Sequence, residues 1–520
     1  MASTSAPQDA RVRGEVVRAL AELRAGLVDL GPRSASTRVG EVVRVADGVA
    51  TVRGLSAPVA GEAFEVEGVL ALAEEVGEEE VRLVLLGASE GLRAGSVARR
   101  LGRGLEVPVG PELLGRVVDP LGVPVDGRGP VGASSLVRVD PPGVRLRERE
   151  PVRRALRTGI LAVDTMIPIG RGQRQLVIGD RATGKTELCL ALLAALDPGV
   201  VGVYVAIGRR GADTAARLRW LREHGVLERG FAVVAEADDP VGLIHLAPIS
   251  ACAMAESLAR AGRDVVIVYD DLTNHANAHR SLALLLGRPV GREAHPVDVF
   301  YVHARLLERA TQYGPVLGGG SLTAFPIIET QAGDLTAYIP TNLVSITDGQ
   351  IRLDAAMVAV GDVPAVDVGL SVSRVGSKAQ PLWVRRLAGS FRHRYAQFLE
   401  VEEFARFGTQ VEESVQRSLD WGRRVRVLLR QAPGVSRSWI ESVARLLFIA
   451  SDALVQVPLD EVAAVADALD AALRGRPSLA QLDVVGEASL EGLDRVRLFV
   501  EEFTRQAVAS LGVAPGDPEG

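Results

Sequence analysis

The run Gly179-Asp-Arg-Ala-Thr-Gly-Lys-Thr186 constrains this protein more than any other stretch. It follows the apolar segment 175–178, which reads as a strand, and precedes residues 187–196, which read as a helix. A glycine-bearing loop between a strand end and a helix start is the setting that phosphate binding requires. Gly179 and Gly184 let the backbone curl until successive N–H groups and the helix N-terminus face an anion. Asp180, Arg181, Ala182 and Thr183 form the body of the loop, Lys185 reaches terminal phosphates, and Thr186 offers a hydroxyl to magnesium. Only two of the 59 basic residues are lysine, Lys185 and Lys378. A position that keeps the compact ammonium while arginine is the default cation points to a specific demand there. The alternative is a relic loop that keeps the shape without the affinity.

The second half of such a site is an acid at the end of a neighbouring strand. Val265-Val-Ile-Val-Tyr-Asp-Asp271 supplies it, with Asp270 the first candidate to hold magnesium through water and Asp271 the second. Strand-end acids that merely cap the next helix are the competing explanation. Hydrolysis also needs a group that activates or orients water, normally a carboxylate or glutamine after the adjacent strand. The strand 203–207 is followed instead by Gly208-Arg209-Arg210-Gly211. Arginine takes no proton at neutral pH, so the site is expected to bind nucleotide and cleave it poorly.

The pattern around the loop changes three times. Residues 14–30 place apolar side chains at spacings of three and four, an amphipathic helix, and residues 1–37 as a whole read as that helix with its linker. Residues 38–106 carry short valine-rich runs punctuated by glycine, as in a small β-barrel. Residues 107–388 alternate apolar strands (175–178, 200–206, 231–235, 265–269) with helical segments, which predicts a mainly parallel sheet. Residues 389–520 are poor in glycine and helical in period, clearest over 396–407, 411–430 and 439–456. The fold class is therefore multidomain α/β.

A length of 520 residues exceeds what one core usually supports. The net charge of −6, with no long basic run, argues against nucleic acid as a partner. Cys189 and Cys252 both sit in apolar stretches, too few for a disulfide framework and expected as buried thiols of a cytosolic protein. No run of about 18 apolar residues predicts a membrane span, and residues 1–10 do not resemble a secretion signal. His275 and His279, four apart, with His295 and His303 downstream, lack the pattern of a zinc site and are expected to be exposed or at an interface. Phe391, Phe398, Phe404 and Phe407 have the spacing of core residues.

Several stretches together resemble the alpha subunit of the rotary proton- or sodium-translocating ATP synthase. They are Ile167-Pro-Ile-Gly-Arg-Gly-Gln-Arg174, the loop 179–186, Tyr269-Asp-Asp-Leu272, Gly291-Arg-Glu-Ala294, Glu329-Thr-Gln-Ala-Gly-Asp334, Tyr338-Ile-Pro-Thr-Asn342 and Ser371-Val-Ser-Arg-Val-Gly376. The resemblance spans residues 38–431. It implies a RecA-like central domain, ATP or ADP with magnesium, and a ring of three alpha and three catalytic beta subunits around a gamma shaft. It further implies a delta-type peripheral stalk met by the N-terminal helix, and a membrane ion-translocating sector reached indirectly, at the cytoplasmic face of the cell membrane. By the same match Arg374 is the arginine finger presented to the neighbouring beta site, Ser345, Ser371 and Ser373 line that boundary, and Gln431 borders the adenine.

The departures are specific. Ala182 and Arg209 stand where the family usually has glutamine, Val363 stands where an arginine usually precedes Pro364, and Pro433 replaces the partner of Gln431. The phosphate half of the site is kept and the adenine half is thinned, which suggests a divergent member, from an alternative sodium-linked branch or a second copy. Two rival architectures are a self-sufficient homohexameric motor, which Arg209 argues against, and a structural ring subunit without nucleotide, which the thinned pocket makes credible.

Overall fold

The computed structural model describes residues 38–511 apart from 134, 381, 406–411, 433 and 481–488, so the amphipathic segment 14–30 lies outside the described residues. The protein divides into two compact units. The first holds the described residues up to Leu85 with Ser89–Gly104, and the second holds Leu86–Ala88 and everything described from Leu105 onward.

The first unit is a closed six-stranded barrel of Val39–Ala46, Val49–Arg53, Glu62–Val66, Val69–Val76, Glu80–Leu85 and Val97–Gly104. Two of its hairpins turn through a residue pair with positive φ, Asp47-Gly48 and Glu67-Gly68. That is the geometry that matches the twist of paired strands. Alternation along the strands points Val42, Val52, Phe64, Val66, Leu83 and Leu85 inward to a common core.

The second unit is built on a sheet whose main path runs Val372–Ser373, Gly349–Leu353, Leu176–Asp180, Ser321–Thr330, Asp264–Asp270, Val201–Arg209, Phe231–Glu236, Val117–Val118. Its central pairs are parallel, and only the short edge strand Val372–Ser373 on this path runs antiparallel. The middles of the central strands are rich in buried Val, Ile, Leu, Ala and Phe, as covering on both faces demands. Five of the parallel strands run past their apolar stretch and end on a polar residue: Asp180, Arg209, Glu236, Asp270 and Thr330. Apolar patterning therefore stops short of the strand end, because the C-terminal ends of parallel strands face a ligand crevice rather than the core.

The helical part follows without a break in the core: one apolar cluster joins Val177, Leu188 and Leu193 to Phe398, Trp421, Leu446 and Val500. Leu382–Ala405 begins well before the expected 396, and Glu413–Leu429 falls within the expected 411–430. The segment 439–456 is two helices, Trp439–Ala450 and Ala453–Gln456. Ser451 is extended at ψ 146° and its hydroxyl donates to the carbonyl of Phe448, which ends the first. Phe391 and Phe398 are buried as expected; the side chain of Phe404 and all of Phe407 lie outside the described residues.

Helix Val241–Arg260, with mean hydropathy 1.4, is by length and composition able to cross a membrane, but 72% of its apolar window is buried. It packs on the strands Val201–Arg209 and Asp264–Asp270, and its buried Glu256 pairs with Arg309 at 2.8 Å, which makes it a core helix. The expectation of exposed histidines is corrected. His275 and His303 are fully buried and joined at 3.1 Å from Nδ1 to Nε2, His245 stacks on His275, and His279 reaches Asp298 at 2.9 Å. Burial pushes the pKa of His303 down to about 3. The spacing of His275 and His279 hid this because the cluster is completed by His245 and His303 on other helices. No group of metal-ligating side chains occurs among the described residues.

Candidate functional site

The loop leaves the strand Leu176–Asp180 and enters the helix Lys185–Ala195. Gly184 sits at φ 89° and Ala182 at φ 61°, so the loop curls as a glycine-bearing phosphate loop must. The Asp180 carbonyl accepts from Thr183 Oγ1 at 2.8 Å and from Lys185 Nζ, which folds the ammonium over the loop. Burial lowers the Lys185 pKa, with Glu329 and Asp271 pulling the other way. The Asp180 carboxylate points elsewhere, accepting from Thr330 Oγ1 at 2.6 Å and the Gly333 amide at 2.8 Å, and these bonds hold its pKa low. Asp180 thus ties the loop to the neighbouring strand. Arg181 is exposed at the mouth, and Thr183 and Thr186 are buried.

Thr186 Oγ1 lies 3.0 Å from Asp270 Oδ2, the pairing expected of a magnesium site. Asp270 is fully buried and also accepts from Tyr204 OH at 2.8 Å and from Arg209 Nη2. Arg209 Nη2 lies 2.9 Å from Asp271 Oδ2, and Arg217 Nη1 is 3.6 Å from Asp270. Asp271 also caps helix Leu272–Leu285 by accepting from the Asn274 amide at 2.8 Å. Burial raises the Asp271 pKa to about 6 against the opposing pull of Arg209. Thr186 and Asp270 stand together as expected of magnesium ligands, but an internal guanidinium lies on both acids, and a donor set neutralised in this way does not suit a dication. Composition signalled neither Tyr204 nor Arg217. Tyr204 reads as one more strand residue, and Arg217 as one of many arginines.

At the loop is a polar cavity of about 530 Å³, lined by the basic Lys185, Arg209 and Arg217, by Thr273, Asn274 and Gln331, and by the acidic Asp271 and Glu329. Beside it a smaller cavity of about 150 Å³ is walled by Ile160, Leu188, Leu353, Val363 and Val435, with Ala182 at its edge. Gln431 lines it, but its amide is consumed. Nε2 donates to the carbonyls of Gly159 and Val435 at 2.7 and 2.6 Å, and Oε1 accepts from the Leu161 amide at 3.2 Å. Gln431 serves as wall and brace; Pro433 lies outside the described residues.

The other predicted residues lie at the sheet edge. Arg174 grips Asp348 through two bonds of 3.0 and 2.7 Å, and the Asp348 carbonyl accepts from the Arg374 amide at 2.9 Å. The Arg374 side chain is exposed and forms no hydrogen bond or ion pair with the described residues. A Cβ on Gly349 would come 2.1 Å from the Val372 carbonyl oxygen, and one on Gly376 would come 1.7 Å from that of Pro168. Two glycines thus clamp the backbone on both sides of Arg374. Ser373 Oγ donates to Pro168 O at 2.5 Å, and buried Ser371 donates to Asp367 O at 2.5 Å, so both brace this edge from within. Ser345 is exposed on helix Tyr338–Ile346.

Three family models match. The beta-barrel domain of the ATP synthase alpha/beta family covers residues 36–102, and the nucleotide-binding domain of the same family covers 159–373. The third, "ATP synthase alpha/beta chain, C terminal domain", covers 380–490. Curated relatives include "ATP synthase subunit alpha 2" of Albidiferax ferrireducens, 44% identical over 96% of this protein and 94% of the relative. "ATP synthase subunit alpha 2" of Polaromonas naphthalenivorans is 45% identical over 99% and 98%. "ATP synthase subunit alpha" of Macrococcus caseolyticus is 45% identical over 82% and 85%.

Proposed function

Because the chain belongs to the ATP synthase alpha/beta family, on its alpha-subunit side, we propose that it is the non-catalytic nucleotide-binding subunit of an ion-translocating ATP synthase. The observation that carries this reading is Arg209 lying on Asp270 and Asp271 where a water-activating group would have to stand. ATP or ADP binds with its phosphates on the loop amides and Lys185 and its base against the small apolar cavity. The subunit alternates with catalytic beta-type subunits around a gamma-type shaft. It meets a delta-type stalk through residues 14–30 and sits peripherally at the cytoplasmic face of the membrane, coupled indirectly to the ion-translocating sector.

In this reading Arg374 reaches the transferring phosphoryl group in the adjacent beta site. An arginine so placed neutralises charge that develops in the transition state. Ser345 belongs to the same boundary, while Ser371 and Ser373 act as positioning residues for the strand that carries Arg374. The engaged amide of Gln431 favours a second reading, a ring subunit that holds no nucleotide. Co-expression with a beta-type partner, followed by ATPase assay and nucleotide analysis, tests both. The expected result is an inactive lone subunit that retains nucleotide through gel filtration, and an active three-plus-three ring. An active homohexamer of this subunit alone would overturn the proposal.

A further inference from the structure

The acids that flank the phosphate loop are engaged from within the protein. Asp270 Oδ2 accepts from Thr186 and Tyr204, its Oδ1 accepts from Arg209, and Asp271 offers Oδ1 to the Asn274 amide and Oδ2 to Arg209. The direction of Arg209 is built into the backbone. The strand Val201–Arg209 shifts register between Ile207 and Arg209, Gly208 lies at φ 59°, and Asn274 Nδ2 holds the carbonyls of Ile207 and Gly208 at 3.0 and 3.2 Å. Asn274 is itself anchored to Asp271, so acid, amide, bulge and guanidinium close a ring of contacts.

A dication beside Thr186 needs the negative charge of Asp270 to offset its own, and here a fixed guanidinium already does so. A second, divalent charge at that spot meets like-charge repulsion in a partly buried site. We propose that Arg209 takes the role of the divalent cation in this subunit, so that its site binds nucleotide in the metal-free form. Arg181, Lys185, Arg209, Arg210 and Arg217 line the phosphate cavity together with Glu187, Asp213, Asp271 and Glu329; Lys185 and Arg181, which form no ion pair with the described residues, are the cations left to meet uncomplexed phosphates. The inference rests on the nucleotide-binding reading above.

The test is calorimetric titration of ATP into the full-length protein stripped of nucleotide, once with excess magnesium chloride and once with excess EDTA. The expected dissociation constants agree within about threefold. Arg209→Gln is expected to bind at least about tenfold more weakly in EDTA than in magnesium, and Arg209→Lys to keep part of the metal independence. A wild-type affinity that falls tenfold or more in EDTA, on the order of 1.4 kcal/mol, overturns the proposal without any variant needing to fold. Metal independence retained in Arg209→Gln overturns the role of Arg209. Absence of ATP binding in both media removes the nucleotide-binding reading itself, an outcome distinct from loss of binding in EDTA alone.

Discussion

Two arginines at opposite sides of one sheet have opposite surroundings. Arg209 is largely buried, contacts two carboxylates, and leaves its Nε without a partner. Arg374 is exposed, its amide is pinned to Asp348, and its guanidinium meets nothing among the described residues. An arginine that has found its partners inside its own subunit completes that subunit's internal charge balance. An arginine whose backbone is clamped while its side chain is free is arranged for a group that another molecule brings. In the proposed reading the two residues serve two different sites, and that difference can be broken at either end.

The largest effect is expected at the free arginine. Arg374→Ala in the assembled ring should lower ATP turnover about 10³-fold or more, while nucleotide retained by this subunit stays unchanged. Steady-state assay with nucleotide analysis of the same preparation checks both halves, and unchanged turnover would remove Arg374 from the neighbouring site. The mirror experiment is Lys185→Ala, which should weaken ATP binding to the isolated subunit by about 10–10² through loss of a charge-assisted contact. Its effect on ring turnover should be far smaller than that of Arg374→Ala. Equal losses would mean that this subunit's own site does the chemistry. A third variant moves Arg374 without removing it. Gly349→Ala drives a Cβ into the Val372 carbonyl, and a shift of about 1 Å in the edge strand should cost up to about 10² in turnover. Turnover close to wild type would show that the clamp does not set the finger's position.

The two sites were not equally legible in the sequence. The loop 179–186 announced itself because its glycines, lysine and hydroxyl are required at fixed spacing between a strand and a helix, and the structure brings Thr186 to Asp270 as that logic demands. Arg209 was recognisable as an anomaly, but its destination was not. The ion pairs with Asp270 and Asp271 join strand ends more than 60 residues apart, and depend on a bulge that no periodicity announces. Gln431 looked like a ligand-facing amide because sequence does not show that three backbone groups, two of them some 270 residues away, take up its hydrogen bonds. The histidine cluster failed for the same reason: two of its four members were visible as a helical pair, and the others arrive from separate helices. The barrel and sheet were legible because alternation and apolar runs are local properties; pairings across the fold are not.

The smallest effect is the most direct test of why Arg209 is buried. Burial is the main cause that lifts the Asp271 pKa to about 6 from the usual 3.8, with Asp270 adding to it and Arg209 opposing it. A carboxyl whose folded value is raised binds its proton more readily in the folded state than in the unfolded one. Its contribution to stability therefore declines as pH rises from about 4 to about 6 and is level above that. Arg209→Gln removes the opposing pull, so the folded value moves higher and the decline continues above pH 6. The gap in unfolding free energy between wild type and Arg209→Gln, measured by denaturant titration, should accordingly widen from pH 6 to pH 8, by at most about 1.4 kcal/mol per pH unit. Arg374→Gln, at an exposed site where the guanidinium pairs with no carboxylate among the described residues, should show no such widening. A gap for Arg209→Gln that stayed constant with pH would mean that the two acids do not hold this arginine, and the difference between the two arginines would reduce to burial alone.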